Sequence, residues 1–342
     1  MRITCAFVLG VLAVTALAVT PAPAVIAYAP NGLPRPYPFD SPDELIRFDT
    51  DDPASFEIIG SMVVPEIGFG GMEFDRNGNL WAYASFYKAT GGAASGLYSV
   101  NIQTGEATVQ GTLSHQPLED LAFNPVDNQM YGIRTQNLIC RLYRVNLTTG
   151  ATTLVGQFTG LSTHPHLQGF AIDSAGHYYV HDVDADKIYS GSGLELTELY
   201  TLPVDTNFSQ GMGIDWSRGN QGYHAAVGYG EYPNYFATIN PFAIDGSSYV
   251  VGPDFGPNEM YNGWGFPLVE PGDIAIVPDL TACTLLGDVD GNGLVDGDDI
   301  GAYLRAKLGQ DPLPGDQPRC ADYGTGTLEG DTALFVADLL NQ

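Results

Sequence analysis

Side chains that carry oxygen recur at a regular spacing in one short stretch, residues 288–299. Counted from Asp288, they fall at positions 1, 3, 5, 9 and 12, with Gly293 at position 6. The glycine permits a sharp turn that points alternate side chains toward one centre, where a hard cation finds about six to eight oxygen ligands. An Asp- and Gly-rich solvated turn is the alternative. The spacing favours one calcium site, with these ligands: Asp288, Asp290, Asn292, the Leu294 carbonyl, Asp296 and Asp299.

The segment that follows the loop has helical spacing. Residues 274–278, before the loop, read as a strand that ends at a proline, so no entering helix is predicted. Position 12 of the loop is an aspartate, where calcium sensors carry a longer glutamate. One exiting helix is predicted, with four apolar residues on a single face: Ile300, Tyr303, Leu304 and Leu308.

A second copy of this unit follows. Residues 324–331 align with residues 291–298 at a constant offset of 33 (326 − 293), and residues 333–340 predict a second helix. The second copy has lost four ligand positions, which are occupied by Ala321, Tyr323, Thr325 and Thr332. We therefore expect one calcium ion in the first loop and a packing role for the degenerate second loop.

Two loop-and-helix units with Asp at position 12 resemble the type I dockerin repeat, over about one sixth of the chain. The resemblance implies a calcium-folded module that docks to a protein partner of the cohesin type. In dockerins, positions 10 and 11 help to select the cohesin, commonly through small hydroxylated residues. Both copies here carry Gly-Asp, at residues 297–298 and 330–331. The resemblance thus favours a docking module more strongly than it favours a cohesin as the partner.

The N-terminal residues have the pattern of a secretory signal. Met1-Arg2 precedes an apolar run over residues 3–19 and an Ala-x-Ala site that ends at Ala24. This pattern predicts a signal peptide over residues 1–24 and a secreted protein; a membrane anchor is the alternative. No other stretch reaches membrane-spanning length, so no membrane span is predicted.

The charge of the chain limits its partners. The net charge is −27, with three lysines in 342 residues. Such a surface repels phosphate backbones, so we expect no nucleic-acid partner, and it suits a calcium-rich exterior. With 42 glycines and 44% hydrophobic residues, the composition favours many short strands joined by tight turns.

The cysteines suggest one crosslink. Cys5 leaves with the predicted signal, and Cys283 and Cys320 each lie shortly before one of the two loops. A Cys283–Cys320 disulfide would join the two halves of the small module in an oxidising exterior. Cys140 would then be a lone, buried thiol.

One short strand pattern recurs five times between residues 72 and 277, ending at Asp75, Asn124, Asp173, Asp215 and Val277. The steps between these residues are 49, 49, 42 and 62. Further strand signals follow each of the first four copies, and four strands in each unit of 40 to 50 residues indicate β-propeller blades. Residues 169–176 and 179–189 resemble blades of the NHL and gluconolactonase type.

The fifth unit stops after its first strand, and its missing strands lie at the other end of the chain. Residues 25–28, 45–49 and 56–59 supply a second, third and fourth strand. The sequence therefore predicts a mainly β protein with five blades, the last closed by both chain ends, followed by a small α-helical module. Six blades are the alternative, because the step of 62 could hide extra strands.

In the propellers that this chain resembles, ligands bind where loops enter the innermost strands. The corresponding loops carry histidines, carboxylates and amides that could bind a transition metal or supply acid–base groups. Exposed loop histidines without a shared role are the alternative. No catalytic residue is assigned, and the ligand-binding candidates are Glu66, His115, Glu119, Asp120, His164, His166, Gln168, Gln210 and Trp264.

The predicted organisation is a signal peptide (1–24), a propeller (25–279), a linker (280–286) and a dockerin-like module (287–342). We expect a secreted calcium-binding protein whose module docks to a protein and whose propeller binds carbohydrate or protein without catalysis. One alternative is an extracellular enzyme that processes polysaccharides or lactones at the channel mouth. Another is a structural surface protein in which calcium only stabilises the fold.

Overall fold

A computed structural model describes the chain over these residues: 25–31, 43–62, 67–87, 95–112, 117–206, 208–229, 235–255, 259–261, 264–266, 272–279, 287–289, 294–308, 320 and 328–340. The elements, in chain order, are β1 (Ile26–Asn31), β2 (Glu44–Asp49), β3 (Asp52–Ser61), β4 (Ile67–Phe74), β5 (Leu80–Tyr87), β6 (Gly96–Val100), β7 (Ala107–Val109), β8 (Asp120–Asn124), β9 (Gln129–Gln136), β10 (Ile139–Val145), β11 (Thr152–Gln157), β12 (Leu167–Ile172), β13 (Tyr178–Asp182), β14 (Lys187–Gly191), β15 (Thr197–Thr201), β16 (Phe208–Asp215), β17 (Gln221–Tyr229), β18 (Tyr235–Phe242), β19 (Glu259–Tyr261), β20 (Trp264–Phe266), β21 (Ala275–Ile276), α1 (Asp299–Lys307) and α2 (Leu328–Leu340).

Five antiparallel sheets form the blades of a β-propeller within the described residues. Blade A has the strand order β21-β1-β2-β3, blade B is β4–β7, blade C is β8–β11, blade D is β12–β15 and blade E is β16–β18. The innermost strands β21, β4, β8, β12 and β16 contact one another in that cyclic order. In blade E, bridges from Thr238 to Asp254 and from Phe242 to Tyr249 place residues 249–254 along the outer side of β18. The predicted propeller class is confirmed.

The ring is closed by strands from the two ends of the propeller segment. β1 pairs with β21 through Ala27↔Ile276 and Tyr28↔Ala275. This pairing confirms the prediction that the N-terminal strands complete the last blade, and it removes an open sheet edge. The long step of 62 residues contains the hairpin β19–β20, which forms its own two-stranded sheet.

The repeated Asp and Asn residues after the innermost strands form turns. Asp75 Oδ1 accepts the backbone N–H groups of Asn77 and Asn79, both at 2.9 Å. In blade D, Asp173 Oδ1 accepts the corresponding N–H groups of Ala175 and His177, again at 2.9 Å. These bonds satisfy backbone donors where each chain reverses.

The two C-terminal helices pack on each other through a few residues. The Tyr303 and Phe335 rings are stacked, with centroids 4.0 Å apart, and Val289, Ala302 and Cys320 complete this cluster. Both helices occur where the sequence predicted them. None of the helices in the described part of the chain is long and apolar enough to cross a bilayer.

The predicted apolar face of α1 is only partly buried. Tyr303 is buried, but Ile300, Leu304 and Leu308 are 47%, 52% and 65% exposed. The reason is that α1 meets α2 through its Ala302–Tyr303 side, and no entering helix is present in the described residues to cover the other apolar positions.

The cysteines follow the prediction where they are described. Cys140 is a free, buried thiol, and Cys320 is disulfide-bonded. Cys283, the predicted partner, lies outside the described residues, as does the predicted signal peptide.

Candidate functional site

The described part of the predicted calcium loop is organised around Asp299, the residue that begins α1. Its Oδ1 accepts the Val289 N–H at 2.6 Å, and its Oδ2 accepts the Asp296 N–H at 2.8 Å. Asp288 and Asp299 are both fully buried. The two ends of the loop are therefore drawn together, with carboxylates from positions 1 and 12 inside.

Four of the six predicted ligand residues are described: Asp288, Leu294, Asp296 and Asp299. Asp290 and Asn292 lie outside the described residues. In the described part, no three Asp, Glu, His or Cys side chains converge as a complete metal site would require. The predicted donors are all oxygen, and carboxylates buried at such a turn suit a hard cation such as Ca²⁺.

Arg76 contributes a positive charge to this loop, which the sequence did not reveal. Its Nη1 lies 3.5 Å from Asp288 Oδ2, and only 9% and 1% of the two side chains are exposed. Arg76 also donates a hydrogen bond to the Pro125 carbonyl. Burial lowers the pKa of Arg76, and the neighbouring Asp288 opposes that shift.

At the opposite end of the ring, three of the predicted mouth residues come together. His166 Nε2 lies 3.4 Å from Gln168 Nε2, and His166 Nδ1 lies 3.7 Å from Asp184 Oδ1. Burial raises the pKa of Glu119, while the nearby His166 opposes that shift. The backbone N–H of His166 donates to Asp182 Oδ1 at 3.0 Å, which holds the loop in place. We call Glu119, His166 and Gln168 the mouth cluster.

The other predicted mouth residues do not join this cluster in the described structure. His164 is exposed, and its Nδ1 lies 3.1 Å from Thr163 Oγ1. Glu66 and His115 lie outside the described residues. Gln210 lies in β16 and Trp264 in β20, and the described structure does not extend to their side chains.

Asp120 is not a surface ligand residue, because it is fully buried at the ring axis. Its Oδ2 accepts the Phe170 N–H of the next blade at 2.5 Å. The side chain is also hydrogen-bonded to Asp273, whose own carboxylate accepts the Met72 N–H of blade B. Burial raises the pKa of Asp273 to about 8 and raises that of Asp120, so the protonated forms of this carboxyl pair are favoured.

Glu73 is a third buried carboxyl group near the axis. Burial raises its pKa, and the negative charge of Asp273 adds to the shift. The sequence contained a signal for Asp273, because it immediately precedes the fifth copy of the repeated strand pattern, as Asp120 immediately precedes the second. A glycine takes this preceding position in the other three copies, and in the first copy Glu73 lies two residues after that glycine.

A buried histidine pair lies between blades D and E. His181 and His224 are fully buried, and their ring centroids are 4.4 Å apart. His181 Nε2 lies 3.3 Å from Thr206 Oγ1, and His224 Nδ1 lies 2.8 Å from the Tyr249 hydroxyl. Burial lowers the pKa of both histidines, that of His224 to about 3. Both rings are therefore neutral at physiological pH.

These features define a five-bladed β-propeller with a buried carboxyl pair on its axis and two small helices at its C-terminal end. Residues 83–219 match a family described as "Repeat of unknown function (DUF6923)", a span that runs from blade B into blade E. No curated protein matches the chain.

Several solved structures resemble this chain over part of its length. A crystal structure of a nidogen/laminin complex has 13% identity and a TM-score of 0.43, over 74% of this chain and 98% of that one. Regucalcin, a calcium-binding protein from Agrobacterium tumefaciens, has 16% identity and a TM-score of 0.41, over 63% and 72%. TolB from Acinetobacter baumannii has 14% identity and a TM-score of 0.41, over 67% and 52%.

Proposed function

We propose that this is a secreted calcium-binding protein whose C-terminal module docks it to another protein and whose propeller binds a ligand at its channel mouth without catalysing a reaction. The observation that carries the proposal is the exposed apolar surface of α1 and α2, next to a loop that contains two buried carboxylates. The dockerin-like sequence pattern supports the same conclusion.

The docking surface is defined by large apolar side chains on two short helices. On α1 they are Ile300, Leu304 and Leu308, which are spaced by four residues and therefore share a face. On α2, Leu334, Val336 and Leu340 are also exposed. The three apolar side chains grouped on one face of α1 favour burial against a partner.

The partner is a different protein with an apolar face rimmed by Lys and Arg. Residues 287–342 contain eleven Asp and Glu against three Lys and Arg, a net charge of −8 (3 − 11). The whole chain carries −27, so a second copy would meet strong repulsion. A cohesin-type module fits this description. Because both copies carry Gly-Asp at loop positions 10 and 11, other partner modules with an apolar face and a basic rim are also candidates.

Calcium would be held in the first loop by the Leu294 carbonyl and by the side chains of Asp288, Asp290, Asn292, Asp296 and Asp299. A bound ion would neutralise carboxylates that otherwise repel one another within one turn, and would fix the start of α1. The second loop, with four ligand positions lost, would bind no ion.

The mouth cluster supports ligand binding by the propeller. Glu119, His166 and Gln168 offer a carboxyl, an imidazole and an amide at one rim, which suits the hydroxyl groups of a carbohydrate or the polar groups of a protein. The proposed ligand class is therefore polar.

The docking proposal is tested by placing a charge on the apolar face. Leu304→Asp on α1 is compared with Leu154→Asp on β11, a leucine of similar exposure on the propeller rim. The full chain is assayed by biolayer interferometry against purified type I cohesin modules, in calcium and in EDTA. We expect calcium-dependent binding that Leu304→Asp weakens at least tenfold, about 1.4 kcal/mol, and that Leu154→Asp leaves unchanged. Equal losses in both variants would contradict docking through this face, and no binding by the wild type would contradict a cohesin-type module as the partner.

A second candidate function is acid–base catalysis on a polysaccharide or lactone. The observation in its favour is that Glu119, a carboxyl group with a raised pKa, lies beside His166 at the mouth. Assays of the full chain on glycans and lactones, with and without divalent metals, distinguish the two functions. Activity that is lost in both Glu119→Gln and His166→Ala would replace the binding-only proposal.

A further inference from the structure

Arg76 lies at the meeting point of two blades and the C-terminal module. It sits in the β4–β5 turn, which Asp75 fixes through bonds from Asn77 N, Asn79 N and Trp81 Nε1 at 2.9, 2.9 and 3.0 Å. One end of the guanidinium group donates to the Pro125 carbonyl of blade C, and the other lies 3.5 Å from Asp288. A rigid turn therefore presents a buried cation to the first residue of the calcium loop.

The charge balance of the loop changes when an ion enters. Without calcium, the buried carboxylate of Asp288 depends on Arg76 for part of its compensation, because a buried charge is costly unless it is paired. With Ca²⁺ in the loop, two further positive charges lie close to the same carboxylate. The guanidinium group then repels the ion, and the low exposure of both side chains limits screening by salt.

We infer that Arg76 is the counter-ion of the calcium loop, which fastens the C-terminal module to the propeller in the absence of calcium and lowers the affinity of the loop for the ion. The inference rests on the proposed calcium site. Its consequence is that the propeller sets the calcium concentration at which the docking module is occupied.

The sequence is consistent with a specific role for Arg76. The corresponding positions in the other four strand patterns are Pro125, Ser174, Trp216 and Pro278, none of which carries a charge. The turn itself therefore does not require an arginine at this position. The arginine occurs in the blade that contacts Asp288.

The test compares Arg76→Gln with a matched arginine in blade E. Arg218 donates to Asp215 Oδ2 at 2.7 Å and to the Val277 carbonyl at 2.8 Å, so it too joins two blades, at a site without a calcium loop. Chelator-treated full chains are titrated with CaCl₂ by isothermal calorimetry. Thermal midpoints are measured in EDTA and in saturating calcium.

For Arg76→Gln we expect calcium affinity to rise about tenfold, as for the loss of one partly screened like-charge interaction. Its midpoint in EDTA should fall below that of the wild type, and most of the loss should be recovered in saturating calcium. Arg218→Gln should lower both midpoints and leave the affinity within about twofold.

Several results would overturn the inference. Unchanged or weaker calcium binding by Arg76→Gln would contradict the counter-ion role, as would equal affinity changes in the two variants. If Arg76→Gln is unfolded in EDTA, calcium should refold it, and failure to refold would also be contradictory. A wild-type chain that binds no Ca²⁺ would contradict the proposed calcium site as well. If the wild type binds Ca²⁺ and the variants do not behave as expected, only the role of Arg76 is contradicted.

Discussion

At the residue scale, polar groups buried in the ring connect its blades. Asp273 joins blade A to blade B through Met72, and Asp120 joins blade C to blade D through Phe170. Each carboxyl group also lies against the other, so the pair spans the axis. Their raised pKa values, their mutual hydrogen bond and the backbone N–H donors compensate two acidic groups that would otherwise be too costly to bury.

The buried histidine pair should make the stability of the protein depend on pH. Burial lowers the pKa of His224 to about 3 in the folded protein. As the pH falls below about 6.5, this histidine is therefore protonated in the unfolded chain but stays neutral in the folded one. His224 therefore contributes stability above that pH and loses it by up to about 1.4 kcal/mol per pH unit on acidification. Urea unfolding of wild type and His224→Gln at pH 7 and pH 4 should show a smaller acid loss in the variant.

Thr206→Val is the matched control for the histidine prediction. It removes the hydroxyl that contacts His181 but no titrating group, so it should lower stability by a similar amount at both pH values. If His224→Gln loses as much stability between pH 7 and pH 4 as the wild type does, the claim that His224 is buried in its neutral form is wrong.

At the element scale, the packing of the innermost strands depends on glycine where two blades approach closely. Gly211 has a φ of +110°, and a Cβ there would lie 1.7 Å from Asp273 Oδ1. No side chain fits without moving the carboxyl pair. Gly71 likewise makes room for the backbone of Asp120, because a Cβ there would lie 2.9 Å from the Asp120 Cα.

Gly211→Ala should therefore destabilise the propeller by about 3 kcal/mol, since it combines backbone strain with a steric clash at the axis. Gly193→Ala is the control, because a Cβ there meets nothing within 4 Å. Urea-induced unfolding followed by tryptophan fluorescence measures both. A loss in Gly211→Ala no larger than that in Gly193→Ala would contradict the described axis.

Much of the fold was predictable from the sequence because blade structure is local. The five strand patterns, the Asx turns and the exiting helices α1 and α2 depend on residues close in the chain. Asp288 and Arg76 are separated by 212 positions and Asp273 and Met72 by 201, so neither contact follows from any local pattern. The mouth cluster was predictable in part, since consecutive blades bring Glu119 near His166, but the burial of Asp120 was not.

At the scale of the whole molecule, the ring and the C-terminal module meet through a buried ion pair at one end, and the mouth cluster lies at the other. Under the proposed docking, this arrangement would leave the mouth free. The net charge of −27 makes a divalent cation the natural complement of the acidic loop.

Calcium binding by the full chain is the most direct test of this account. After chelation and equilibrium dialysis against CaCl₂, we expect one Ca²⁺ per wild-type chain and a gain in stability of about 2.7 kcal/mol at a free concentration of 100 times Kd. Asp296→Asn, at loop position 9, should lose the ion, whereas Glu329→Gln, at the same position of the degenerate copy, should retain it. A wild-type chain that retains no Ca²⁺ and gains no stability, or equal losses in the two variants, would contradict the account.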